Sequence, residues 1–206
     1  MNGATRLVFA TRNAHKLREV ATILAETIGA VGDAIVGSDA VGGPEVTETG
    51  VTFDENALLK ARALAQVSGL PAIADDSGLC VEVLGGAPGV FSARWAGGHG
   101  DDAANLALLL DQLRDVPADR RRAWFECAAV LVTPAGETWV ETGRLTGTLA
   151  ASPRGTGGFG YDPILVPDGE RRTCAQLTPA EKNAISHRGR AFRSLAPRIA
   201  AALGRG

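Results

Sequence analysis

Lys16, Lys60 and Lys182 are the only lysines among the 21 Lys and Arg residues of this 206-residue chain. A compact ammonium binds phosphate as a point charge, whereas arginine serves wherever solvated positive charge is enough. The three are therefore candidates for phosphate sites, against the simpler reading of surface lysines left by chance. Lys16 closes the segment Thr11-Arg12-Asn13-Ala14-His15-Lys16, which lies between an apolar run and a helical pattern. A helix start offers unpaired N–H groups and a positive dipole end, which suit an anion. A hydroxyl, an amide and a lysine add to that; the plainer alternative is a capped helix with an exposed lysine.

Asp75-Asp76-Ser77-Gly78 follows the apolar Pro71-Ala72-Ile73-Ala74. Two carboxylates at the end of a strand stand where open α/β sheets bind ligands. Their hard oxygens suit Mg²⁺ bridging to phosphates. Neighbouring side chains on an extended chain face opposite ways, so one of the pair rather than both is expected to reach solvent. The alternative is an Asp-Ser-Gly turn. Gly155 to Gly160 satisfies G-x-G-x-x-G literally, but the dinucleotide fingerprint must follow a first strand and open a helix. Here Tyr161-Asp162-Pro163 follows, and Pro163 disfavours helix in the residue before it. The loop instead presents Phe159, either to stack on a base or to return to the core. Lys182 to Gly189 packs Lys182, His187 and Arg188 behind a helix start, donors that suit carbonyl or phosphate oxygens. Together the four segments and Lys60 read as a polyphosphate site with one metal carboxylate and an aromatic platform.

The elements that must hold these residues alternate between strand and helix. Residues 6–10 form a buried strand, and Leu17, Val20, Ala21, Leu24 and Ile28 mark a helix with Asn13 as N-cap. Residues 29–50 are irregular, with one short strand near Ile35. Thr52 and Glu55 form a capping box for a helix to about Ser68. A strand ending in the two carboxylates and a turn comes next, then a second strand, Leu79 to Leu84, and a Gly-rich loop. Asp101 or Asp102 caps a helix whose Leu106, Leu109, Leu110 and Leu113 share a face. Residues 123–132 and 137–149 read as a hairpin, Thr178 and Pro179 start a further helix, and Phe192, Leu195, Ile199 and Leu203 line the last. With no repeat or linker, residues 1–206 are expected to form one mixed α/β domain with a sheet core.

Composition narrows the function classes. An apolar share of 45% and a charged share of 21% describe an ordinary soluble protein. The net charge of −2 argues against a nucleic-acid surface, and no apolar run is long enough for a membrane. Three scattered cysteines make no disulfide framework, so they are expected as small buried hydrophobes in a reduced, cytoplasmic protein.

The strings FATRNAHKLREV, ETGVTFDENALLKA, IADDSGLCVEVLGGAPGVFSARWAG, GTGGFGYDPI and LTPAEKNAISHRGRAF closely resemble the inosine triphosphate pyrophosphatase family, in order from Leu7 to Leu203. The resemblance implies an elongated mixed β-sheet with flanking helices, and two lobes around a central active-site cleft in a homodimer. It implies Mg²⁺-dependent hydrolysis of ITP, dITP and XTP to the monophosphate plus pyrophosphate, which keeps deaminated bases out of DNA and RNA. Carried onto this chain, it places Thr11, Arg12, Asn13, Ala14, His15 and Lys16 at the triphosphate, with Lys60 and Lys182. Asp76 becomes metal carboxylate and proton acceptor, with Ser77 beside it. Phe159, Gly160, Tyr161 and Asp162 meet base and sugar, and His187 and Arg188 the purine. Two positions depart from the family pattern. Thr47 replaces the first of two acidic residues, so Glu48 or Glu45 is left to supply a second metal ligand, and Arg12 stands where many relatives carry Gly. The rivals are a pyrophosphatase for other modified nucleotides, such as methylated pyrimidine triphosphates, and an idle nucleotide-binding module.

Overall fold

The structure, a computed structural model, describes residues 7–29 and 34–204. Strand β1, Leu7–Phe9, leads into helix α1, Ala14–Ile28. Asn13 starts the helix by accepting the N–H groups of His15 and Lys16, as expected of an N-cap. Strand β2, Ile35–Gly37, pairs parallel with β1, Leu7 opposite Ile35, with α1 as the crossover. Residues 30–33 of the expected irregular stretch lie outside the described residues. Helix α2, Phe53–Ser68, opens on the expected box: Thr52 accepts from the Glu55 N–H while Glu55 accepts from the Thr52 N–H.

Strand β3, Ala72–Val81, pairs parallel with the other edge of β1, Val8 opposite Ala72. The order β2-β1-β3 places a topological switch point at the carboxyl ends of β1 and β3, where open α/β sheets take their ligands. The sequence predicts a turn at Asp75–Gly78 and a separate strand after it; the structure instead carries one strand straight through. Both carboxylates stay in the strand because cations on the surrounding helices compensate them. Gly78 suits the strand by admitting the turn Gly89–Arg94 against it: Ser92 Oγ accepts the Leu79 N–H at 2.9 Å.

Helix α3, Asp102–Gln112, is capped by Asp101. Strands β4, Arg122–Val132, and β5, Thr138–Leu149, are neighbours joined by a turn in which the Thr133 N–H donates to Glu137. So short a connection permits only the antiparallel hairpin expected. Strand β6, Leu165–Pro167, is antiparallel to β5. Helix α4, Pro179–Ile185, has its Thr178 box and first-turn proline, and helix α5 spans His187–Ala202. The six strands form a mixed sheet in the order β2-β1-β3-β4-β5-β6.

The chain divides into two compact units. The first comprises Met1–Asp76, Cys127–Gly143 and Arg188–Gly206. Its core joins Phe9 and Ile73 of the sheet to Ile23 and Leu24 of α1 and to Phe192 and Ile199 of α5. Val8 is buried as well, and α2 contacts β1. A strand buried on both faces reads as an unbroken apolar run, which is why Leu7-Val8-Phe9 shows no alternation. The second unit comprises Ser77–Glu126 and Arg144–His187, with a core of Leu79, Leu109, Leu113, Phe125 and Ile164. Each such side chain contributes roughly 1.5–3 kcal/mol of burial. Cys80, Cys127 and Cys174 are free thiols within these interiors, as composition predicts. No helix among the described residues is long and apolar enough to cross a membrane.

Candidate active site

Register carries β3 past the end of β1: Phe9 lies opposite Ile73, and Ala74, Asp75 and Asp76 extend beyond it. The pleat turns the two carboxylates to opposite faces, and each meets its own cations. Asp75 shares a face with Ile73, toward α1 and α5. Arg188 Nε and Nη2 each donate to Asp75 Oδ2 at 3.1 Å, and Lys16 Nζ lies 3.3 Å from the same oxygen. Arg188 Nη1 continues to Glu19 Oε2 at 2.8 Å. Burial opposes charge on Asp75, but Lys16, Arg188 and Lys60 outweigh it and hold its pKa well below the usual carboxylate range. Asp75 is thus a permanent buried anion.

Asp76 faces α2. Asn56 Nδ2 donates to Oδ2 at 3.2 Å and Lys60 Nζ to Oδ1 at 3.1 Å, from positions four apart on one helix face. Lys60 Nζ also donates to Glu48 Oε1 at 2.7 Å. Asn56 Oδ1 accepts the Gly50 N–H at 2.8 Å, which ties the loop bearing Glu48 to the helix. Burial pushes the Asp76 pKa up; Lys60 pulls it down and Glu48 pushes it up again, and the net is upward. Burial likewise opposes charge on Lys60, but Asp76, Asp75 and Glu48 raise its pKa above the ordinary value. Environments that drive two neighbouring carboxylates apart in pKa mark their roles. Here Asp75 is pushed down by its cations and Asp76 is raised by burial.

The rest of the expected phosphate segment lies in the same unit. Thr11 Oγ1 accepts the Asn13 N–H at 3.1 Å, Ala14 opens α1, and the His15 ring lies 3.3 Å from Arg18. Thr11, Arg12, Ser38, Glu45 and Lys60 line a pocket of about 110 Å³. Arg12 donates to Asp39 Oδ1 at 2.9 Å and to the Gly43 carbonyl at 3.3 Å. Of the two glutamates left open by the sequence, Glu48 is the one joined to Asp76 through Lys60; Glu45 stands 4.0 Å from Arg12 with its side chain 89% exposed.

In the second unit Ser77 follows Asp76 on β3, half-buried. The loop from Gly155 to Pro163 is folded around Asp162. Asp162 Oδ2 accepts the Phe159 N–H at 2.9 Å and Lys182 Nζ at 2.5 Å. Gly158 has φ of 73°, and a Cβ there would strike the Asp162 carboxylate, so no other residue serves. Gly160 donates to Asp102 Oδ2 at 2.7 Å, and Tyr161 donates its hydroxyl to the Ser92 carbonyl at 2.9 Å. Lys182 Nζ lies 5.2 Å from the centre of the Phe159 ring, whose residue is 38% exposed. Phe159 thus stays partly exposed and does not return to the core.

The resemblance places His187 and Arg188 at the purine. Arg188 is 1% exposed and pairs with Asp75 and Glu19. His187 is buried with its ring stacked on Phe125, centroids 4.9 Å apart. Residues that sequence reasoning missed are Asn56, Glu19 and Asp102. For Asn56 a signal existed: an amide on the apolar face of α2, one turn before Lys60. Glu19 and Asp102 resemble ordinary solvated helix charges, and nothing local distinguishes them.

A parallel-stranded switch point carrying paired carboxylates and lysines beside a helix start belongs to an open-sheet α/β protein. The chain belongs to the Ham1 family, whose model matches residues 7–198. It is 63% identical over 201 residues to the dITP/XTP pyrophosphatase of Streptomyces coelicolor, covering 97% of this chain and 100% of that one. A HAM1 protein from Coxiella burnetii superposes with a TM-score of 0.84 at 39% identity, covering 95% of this chain and 98% of that one. The nucleoside-triphosphatase / dITP/XTP pyrophosphatase of Mycobacterium abscessus is 52% identical with a TM-score of 0.75, covering 93% and 99%.

Proposed function

We propose that the protein is a nucleoside triphosphate pyrophosphatase that hydrolyses ITP, dITP and XTP to the monophosphate and pyrophosphate, clearing deaminated purines from the nucleotide pool. The names of its full-length relatives support the reaction, and one observation carries the site: Asp76, its pKa raised, shares Lys60 with Glu48 beside a phosphate-suited helix start. The donor set fits Mg²⁺. Glu48 Oε1 and Asp76 Oδ1 are hard oxygens already converging on one cation, the ammonium of Lys60. Among the described residues no three His, Cys, Asp or Glu form a closed metal cage. Mg²⁺ uses one or two carboxylates and leaves the rest of its sphere to water and phosphates. Bound there, the ion would neutralise triphosphate oxygens.

The chain's own groups do the remainder. The α1 N-terminus, Thr11, Lys16 and Lys60 hold the phosphates, and Asp76 orients or deprotonates a water for in-line attack at the α-phosphorus. Pyrophosphate departs with its charge met by lysine. Catalysis of this kind is mostly positioning and charge stabilisation. Phe159 offers a ring face for a base, held in place by Asp162 and Lys182. The resemblance supports a homodimer, which light scattering would test, and the free buried thiols support a reducing, cytoplasmic setting.

The test is pyrophosphate release from ITP, XTP, GTP, ATP and a methylated pyrimidine triphosphate, with and without Mg²⁺. Metal-dependent release from ITP and XTP is expected. Orthophosphate in its place would move the attack off the α-phosphorus, and binding without product would leave a nucleotide-binding module. Asp76→Asn is expected to fold and to lose about 10²–10⁴-fold in kcat, the usual worth of a general base.

A further inference from the structure

We propose that Lys60 is an internal counter-ion that keeps the place of the divalent cation between Glu48 and Asp76 and gives it up on metal loading, its freed ammonium passing to the phosphates. This rests on the metal-dependent reading above and concerns how that site is made ready.

The oxygens a metal would use are the oxygens Lys60 uses. Its Nζ lies 2.7 Å from Glu48 Oε1 and 3.1 Å from Asp76 Oδ1, and the Lys60 side chain is 15% exposed. The second Asp76 oxygen is bound to Asn56, so it cannot serve in place of the first without breaking that bond. Lys16 and Lys182 differ, each meeting a single carboxylate, Asp75 and Asp162. Without the ammonium, the buried Asp76 and half-buried Glu48 carboxylates would repel and part. With both an ammonium and a dication between them, the two cations would repel at contact distance. One cation at a time satisfies the pair. Lysine suits exchange because its charge sits on a flexible four-carbon stem, where an arginine fork would be held by geometry. Lys60 also lines the pocket shared with Thr11 and Arg12, so the displaced ammonium has a place among the phosphate-suited donors.

Exchange means that Lys60 lowers metal affinity in the absence of nucleotide while keeping both ligands assembled. The experiment titrates the full chain with Mn²⁺, without nucleotide, reading free Mn²⁺ by electron paramagnetic resonance. Lys60→Met is expected to bind Mn²⁺ about tenfold tighter or more than the parent protein, since a unit positive charge leaves the site. Arg198→Met, which removes a positive charge at Trp139 away from the site, is the control and is expected to match the parent. In parallel, the parent protein is labelled briefly with an amine-reactive ester and the lysines are quantified by mass spectrometry. Labelling of Lys60 is expected to rise several-fold on saturation with Mn²⁺, and that of Lys182 to stay constant. Unchanged or weaker Mn²⁺ binding by Lys60→Met, or Lys60 labelling that falls with Mn²⁺, would overturn the exchange. Should Lys60→Met not fold, Lys60→Gln and the labelling of the parent protein decide the matter. Mn²⁺ binding that survives Asp76→Asn unaltered, or no binding at all, would instead remove the metal site itself.

Discussion

Arg188 shows how a side chain's burial decides its work. Its guanidinium spans Asp75 and Glu19 with donor distances of 3.1 and 2.8 Å, and it is 1% exposed. Removing one partner of a buried charge group leaves the others uncompensated, which costs far more than the group contributes net. Arg188→Met is therefore expected to lose roughly 3–5 kcal/mol of unfolding free energy, measured by urea titration. A loss below about 1 kcal/mol would show that water reaches the two carboxylates and satisfies them. The same fact limits what the local sequence conveys. The run from Lys182 to Arg188 advertises cations, and the cations are there, yet Arg188 is claimed by a carboxylate 113 positions away. Lysines were legible because they are so few; their partners were not.

Strand β3 is the element that joins fold to site, and it is also where the sequence misled. Asp, Ser and Gly in succession favour turns because short polar side chains bond their own backbone. Here tertiary partners win. Asp75 and Asp76 find Arg188, Lys16, Lys60 and Asn56, and Gly78 provides room rather than a bend. An added Cβ at Gly78 would run into the Gly89 carbonyl, backbone that cannot easily give, and into the Ser92 side chain. Gly78→Ala is expected to destabilise by about 1–3 kcal/mol, as overpacking does. Gly98→Ala, with no atom near its Cβ, is the control and should change the thermal midpoint little. By contrast, the starts of α1, α2 and α4 were readable to the residue, since each cap satisfies its donors within three positions. Local chemistry wrote the helix starts; distant charge compensation wrote the strand.

The molecule keeps its reactive chemistry inside. Burial lifts the Cys80 and Cys174 thiols to about 12 and raises Cys127 as well, which lies near Asp75. Thiolate is the reacting species, so at neutral pH there is almost none to react. An aromatic disulfide reagent is expected to release no chromophore from the native protein and three equivalents in denaturant; prompt release from the native state would show that one thiol is open to solvent. Composition foretold the burial of these cysteines, because three thiols so scattered have no other use. The division of labour between the two cationic residue types reaches further. Apart from the buried Arg121 and Arg188, the described arginines lie at or near the surface, while each of the three lysines is held by a carboxylate: Lys16 by Asp75, Lys60 by Glu48 and Asp76, Lys182 by Asp162. Enzymatic acetylation, or amine coupling to a sensor chip, therefore finds no spare lysine side chain on which to land. Any acyl group placed on a lysine cancels at least one of these four ion pairs, and tethering the protein without harm calls for a handle other than its lysines.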